Sequence, residues 1–118
     1  MKINVLGTEY TLNRYEYSDK PEFKEKGING YCDNLGKEIA YAHMITYPGY
    51  EHETEEYCRL EEKITIRHEL VHAFFSKSGL RHSAGQPMGS WSENEEMVDW
   101  MAIQSPKLFE AFKIADCL

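Results

Sequence analysis

The stretch from residue 64 to residue 75 reads Ile-Thr-Ile-Arg-His-Glu-Leu-Val-His-Ala-Phe-Phe, two histidines and a glutamate in a largely apolar run. Its apolar residues recur at helical spacing on more than one side, which predicts a helix buried between other elements. Burying imidazoles and a carboxylate costs several kcal/mol unless they find partners. A bound metal ion would be such a partner.

The centre of this stretch, His68-Glu69-Leu70-Val71-His72, matches the HExxH motif. Residues four apart share one helix face, so both imidazoles can reach a single tetrahedral Zn²⁺. Glu69 is turned roughly 100° round the helix, where it can accept a proton from a zinc-bound water. The motif therefore predicts His68 and His72 as ligands and Glu69 as general base. The competing interpretation is a pair of core histidines hydrogen-bonded to backbone or carboxylate groups.

A third ligand is expected, because a catalytic zinc usually has three protein ligands and one open position. The metzincin pattern would need a glycine at position 75 and a histidine at position 78. The chain has Phe75 and Ser78 there, which excludes that pattern. The remaining source is a carboxylate on a later helix.

The segment Asn94-Glu95-Glu96-Met97-Val98-Asp99 supplies such a carboxylate. Glu95 and Asp99 are four apart and share a helix face. Glu95 can therefore bind the metal while Asp99 accepts an N–H from a ligand histidine and fixes its tautomer. Glu96 stays open as the alternative ligand, since a small rotation of the helix would bring it forward.

Together, the two motifs resemble those of the gluzincins, peptidases in which HExxH is followed on a later helix by NExxxD. The short connection is similar to that of the single-domain minigluzincins and of small phage-encoded metallopeptidase-like proteins. The resemblance covers the C-terminal half well and the N-terminal half in outline. It implies a zinc cofactor, a peptide or protein substrate, and an edge strand that pairs with the substrate, here expected at residues 37–43. The implied site residues are the ligands His68, His72 and Glu95, the base Glu69, and Asp99 behind a ligand histidine.

Larger gluzincins also place a His or Tyr after the third ligand to stabilise the tetrahedral oxyanion. No His or Tyr follows Glu95 in this chain. The remaining candidates for that donor lie upstream: Tyr47, Tyr50, His52 and His82. The alternative function is an interaction module that keeps the fold, with or without zinc, and binds a protein partner such as a repressor without cleaving it.

The N-terminal half is predicted to form a small antiparallel sheet. Residues 2–6 and 9–15 show strand patterns, and residues 28–43 fit a hairpin that turns at Asn34-Leu35-Gly36. Residues 57–77 then show the helical pattern of the active-site helix. Because strands precede helices, the expected class is α+β, in one domain spanning 1–118.

The C-terminal half is predicted to contain two more helices. Ser92 and Glu95 fit a capping box that opens a glutamate-bearing helix, which we expect to end before Pro106. A short C-terminal helix over residues 106–115 follows. Trp91 and Trp100 are expected to be core anchors.

Composition narrows the partners and the compartment. The chain has 13 Lys and Arg against 20 Asp and Glu, a formal charge of -7, which argues against nucleic acid and anionic lipid. No apolar run approaches membrane length. Three cysteines without a paired pattern indicate free thiols and a cytoplasmic protein, with Cys58 and Cys117 expected to be structural.

Overall fold

A computed structural model describes residues 1–78 and 94–116 of the chain. Within these residues a four-stranded sheet is combined with three α-helices, which confirms the α+β class. Short 3-10 turns follow β2 and β4, at Tyr17–Asp19 and Met44–Thr46. The strands are β1 (Lys2–Val5), β2 (Thr8–Tyr15), β3 (Gly30–Asp33) and β4 (Glu38–Ala42), and the helices are α1 (Pro21–Lys26), α2 (Glu55–Lys77) and α3 (Glu95–Ile114).

The sheet has the strand order β1-β2-β4-β3 and is mixed. The β1–β2 and β3–β4 pairs are antiparallel, as predicted, but β2 and β4 run parallel. The chain crosses from β2 through α1 to the outer strand β3, and the hairpin then returns β4 beside β2. A parallel pair needs such a crossover of a dozen or more residues. The prediction of an antiparallel sheet is therefore corrected for its central pair.

The same order corrects the predicted edge strand. Residues 37–43 contain β4, which lies between β2 and β3 and has no free edge. The outer strand on this side is β3, the first strand of the predicted hairpin. Any extended peptide that adds to the sheet here would pair with β3.

The long helix α2 lies across the sheet. It begins after Thr54, whose side chain accepts a hydrogen bond from the Tyr57 N–H at 3.1 Å. Its C-terminal half packs through Ala73 on a core of Val5, Tyr10 and Ile39. Its N-terminal half contributes Cys58 to a second core with Phe23, Ala42 and Met44. Cys58 is thus a buried free thiol, as expected, whereas Cys117 lies outside the described residues.

The third helix begins at Glu95 and is capped by Asn94, whose side chain accepts from the Met97 N–H at 2.9 Å. The predicted cap, Ser92, lies outside the described residues, as does Trp91. Trp100 is 55% exposed, so the prediction that it anchors the core is wrong. The face of α3 that packs on α2 carries small and branched residues instead, Val98 and Ala102.

Pro106 does not end this helix. The structure shows one helix from Glu95 to Ile114, so the separate helix predicted over residues 106–115 is wrong. A proline inside a helix leaves the carbonyl four residues earlier without its N–H partner, here the carbonyl of Ala102. The guanidinium Nε of Arg67 on α2 donates to that carbonyl. A tertiary hydrogen bond thus replaces the one that proline removes.

Candidate metal centre

Two histidines on α2 converge on one carboxylate from α3. His68 and His72 are one turn apart, and their ring centroids lie 4.9 Å from each other. Nε2 of His68 is 2.9 Å from one oxygen of Glu95, and Nε2 of His72 is 3.0 Å from the other. The two helices therefore bring together the three residues predicted as ligands.

The fourth partner is Asp99, one turn after Glu95. Its Oδ1 lies 2.6 Å from Nδ1 of His68, so this imidazole has a carboxylate at each ring nitrogen. A neutral imidazole has only one N–H. If Nδ1 donates to Asp99, the lone pair on Nε2 faces an oxygen of the Glu95 carboxylate. Two acceptors that face each other repel, so this pair needs either a second proton on the imidazole or a cation between Nε2 and the oxygen.

The donor set could hold a metal ion, and its spacing is compatible with zinc. Ligand atoms about 2.0–2.1 Å from a tetrahedral Zn²⁺ lie about 3.3 Å from one another. The Nε2–Oε distances of 2.9 and 3.0 Å come within a few tenths of an ångström of that spacing. The donor atoms of His68, Glu69 and His72 also lie within 4.8 Å of one another.

Glu69 is the buried carboxylate of the site. Its side chain lies beside the histidines, with Oε1 3.8 Å from Nε2 of His68, and the residue is only 9% exposed. Burial, more than any other cause, raises the pKa of Glu69 to about 7. The charge of His68 lowers this pKa, and the charges of Glu95 and Asp99 raise it further. A carboxylate with a pKa near neutrality is suited to accept a proton and release it again.

The neighbouring acid, Glu96, is placed differently. Like Glu95 it is exposed on α3, but among the described residues it makes no hydrogen bond or ion pair with either histidine. The geometry thus favours Glu95 over Glu96 as the carboxylate that faces the histidines.

The site opens into a cleft of about 770 Å³ between α2, β3 and the start of α3. An added Cβ at Gly30 would lie 2.6 Å from the methyl group of Thr65, so strand and helix approach closely at this point. Ile28 packs against the core to which α2 contributes Cys58, and Cys32 packs against the core to which α2 contributes Ala73, further along the helix. Strand β3 therefore runs alongside α2 in the same direction. The sequence indicated the hairpin but not that its first strand would form this wall.

The predicted oxyanion donors do not line this cleft as far as the structure describes them. The hydroxyl of Tyr47 shares its one hydrogen between the carbonyls of Phe23 and Ile28, at 3.3 and 3.0 Å. Tyr50 is stacked on Tyr57, with ring centroids 6.1 Å apart. His52 is exposed and is not part of the cleft wall, and His82 lies outside the described residues.

Helices that could span a membrane are absent from residues 1–78 and 94–116. No protein-family model, curated protein or solved structure matches the chain.

Proposed function

We propose that this chain is a zinc-dependent peptidase in which His68, His72 and Glu95 hold the ion and Glu69 is the general base. The observation that carries the proposal is the convergence of both Nε2 atoms on the two oxygens of one carboxylate. The buried carboxylate of Glu69 lies beside them, as a base for an attacking water requires.

Zinc bound here would act as a Lewis acid on the scissile carbonyl and lower the pKa of the attacking water. Glu69 takes the proton from that water and returns it to the leaving amine. Asp99 holds the proton of His68 on Nδ1, so that Nε2 presents its lone pair to the ion.

The edge of β3 supplies a way to hold an extended peptide. The Ala42 N–H donates to the Asn29 carbonyl at 2.8 Å, so Asn29 faces β4. Because antiparallel pairs alternate, the N–H and C=O of Gly30 face away from β4, on the side of the cleft that Gly30 lines. A peptide that pairs there would lie along α2 and cross the histidines.

A second candidate function is the interaction module that binds a protein without cleaving it. It is favoured by one observation: Tyr47 and Tyr50, two of the donors expected to stabilise an oxyanion, are packed away from the cleft. Such a module would use the same β3 edge and would carry zinc for its structure alone.

Hydrolysis of a diverse peptide library, read by mass spectrometry, separates the two functions. We expect zinc-loaded wild type to cleave, and Glu69→Gln to keep its zinc and lose about 10²–10⁴-fold in rate. Glu56→Gln makes the same change on an exposed part of α2 outside the cleft and should cleave like wild type. Equal cleavage by wild type and Glu69→Gln would refute the base. Zinc-loaded wild type that cleaves nothing would favour the interaction module.

A further inference from the structure

The charged side chains of the cleft share one sign. Among the described residues that line it, the acids are Glu61, Glu69, Glu95 and Asp99, and there is no lysine or arginine. Three of these acids belong to the metal centre. Glu61 is not part of the metal centre and has no role in the proposed hydrolysis.

Glu61 lies on the same face of α2 as the histidines. It is seven residues before His68, about 10 Å along the helix axis. Its backbone carbonyl accepts a hydrogen bond from the hydroxyl of Thr65 at 3.0 Å, but its carboxylate makes no hydrogen bond or ion pair with any described residue. The nearby cation Arg59 is already engaged, because it pairs with Glu62 at 3.0 Å. Glu61 therefore presents an uncompensated negative charge at one end of the cleft.

The position of Glu61 along the cleft follows from the packing of β3 on α2. Gly30 lies against Thr65, one turn after Glu61, so Glu61 lies beside the start of the strand near Ile28. An extended peptide advances about 3.3 Å per residue, so about 10 Å corresponds to three residues. A peptide with its scissile bond at the histidines thus brings a side chain within three residues of that bond next to Glu61.

We propose that Glu61 is a specificity-determining residue that selects a lysine or arginine within three residues of the scissile bond. The substrate class is then a cationic, extended peptide segment. This inference rests on the proposed function for the location of the cleaved bond. The formal charge of -7 on the whole chain would also attract such a segment from a distance.

The test uses fluorogenic peptides that differ only by Lys, Gln or Glu at one position, scanned over three residues on each side of the bond. For wild type we expect kcat/KM to favour Lys over Glu by about fivefold or more at one of these positions. Glu61→Gln should remove the preference and Glu61→Lys should reverse it. Glu56→Gln changes the same charge on another face of α2 and should keep the preference. Added salt should reduce it.

Binding of the same peptides to zinc-loaded Glu69→Gln, measured by fluorescence anisotropy, separates this inference from the peptidase function. One outcome is that wild type cleaves none of the peptides while Glu69→Gln binds the Lys peptides more tightly than the Glu peptides. If the double variant Glu61→Lys/Glu69→Gln loses that difference, the result supports a cationic ligand and refutes only the hydrolysis. The inference is overturned if Lys and Glu peptides are cleaved and bound alike, or if Glu61→Lys leaves the preference unchanged. Thermal unfolding of each variant confirms that it is folded.

Discussion

Oδ1 of Asp99 lies 2.6 Å from Nδ1 of His68, a short contact that joins α3 to α2 at the candidate metal centre. Hydrogen bonds between a nitrogen and a carboxylate are shorter than neutral ones, at about 2.7–2.9 Å, and this contact lies just below that range. Glu95, one turn earlier on α3, faces Nε2 of the same imidazole. A single helix turn thus orients His68 and supplies the carboxylate that completes the proposed ligand set.

Removing this contact should weaken zinc binding without unfolding the protein. Asp99→Ala leaves Nδ1 of His68 without its acceptor, so the ring loses its fixed tautomer and orientation. We expect zinc affinity, measured by competition with a chromophoric chelator, to fall about 10–100-fold. The matched variant Asp116→Ala, at an exposed turn position just after α3, should bind zinc like wild type. Unchanged affinity in Asp99→Ala would contradict the role given to Asp99.

The two adjacent acids of α3 should behave differently. Glu95→Gln removes the charge of the carboxylate that faces both histidines, the proposed third ligand, and we expect it to weaken zinc binding strongly. Glu96→Gln changes an exposed side chain away from them and should leave the affinity unchanged. The zinc affinities of both variants are measured in parallel by chelator competition, so that the same chemical change is compared at two adjacent residues. The reverse ranking would assign the ligand to Glu96.

The pairing of site residues within each helix could be predicted from the sequence because it depends on local periodicity. The meeting of α2 with α3 is non-local, and the resemblance to the gluzincins, not the spacing, predicts it. Spacings of four residues place His68 with His72, and Glu95 with Asp99, whatever the rest of the fold does. The position of β3 at the cleft could not be predicted in this way. Strand order depends on the crossover between β2 and β3. This feature is non-local, and the sequence pattern of the hairpin does not indicate it.

Pro106 shows how a tertiary contact overrides a local signal. The sequence predicted a helix end there because proline removes the hydrogen bond to the Ala102 carbonyl. The donor that replaces it belongs to Arg67, 35 residues before Ala102 in the chain. The residues around Pro106 do not indicate that donor, because it is supplied by α2.

A double-mutant cycle tests this replacement. Arg67→Leu leaves the buried Ala102 carbonyl without a partner and should lower the free energy of unfolding by about 1–3 kcal/mol. In a Pro106→Ala background the new N–H can bond to that carbonyl, so Arg67→Leu should cost less. Urea unfolding of the four proteins measures the coupling. Additive effects would show that Arg67 does not compensate for Pro106.

Gly30 should tolerate no side chain. A Cβ there would lie 2.7 Å from the Ala40 carbonyl oxygen and 2.6 Å from the Thr65 methyl group. Because one of these atoms is backbone, the strand or the helix must move, and we expect Gly30→Ala to destabilise the protein by about 1–3 kcal/mol. The control Gly36→Ala meets mainly the carboxylate of Asp33, the end of a side chain in an exposed turn, and should cost less. Equal unfolding midpoints for the two variants would contradict the close packing of β3 on α2.

The zinc content of the purified protein tests the central claim most directly. The chain should be produced without a polyhistidine tag or chelator, supplied with excess zinc, dialysed and analysed by inductively coupled plasma mass spectrometry. We predict one zinc per chain in wild type, little in His72→Ala, and a higher melting temperature in the zinc-loaded wild type because metal binding is coupled to folding. Wild type that retains no zinc, or His72→Ala that retains as much as wild type, would contradict the account.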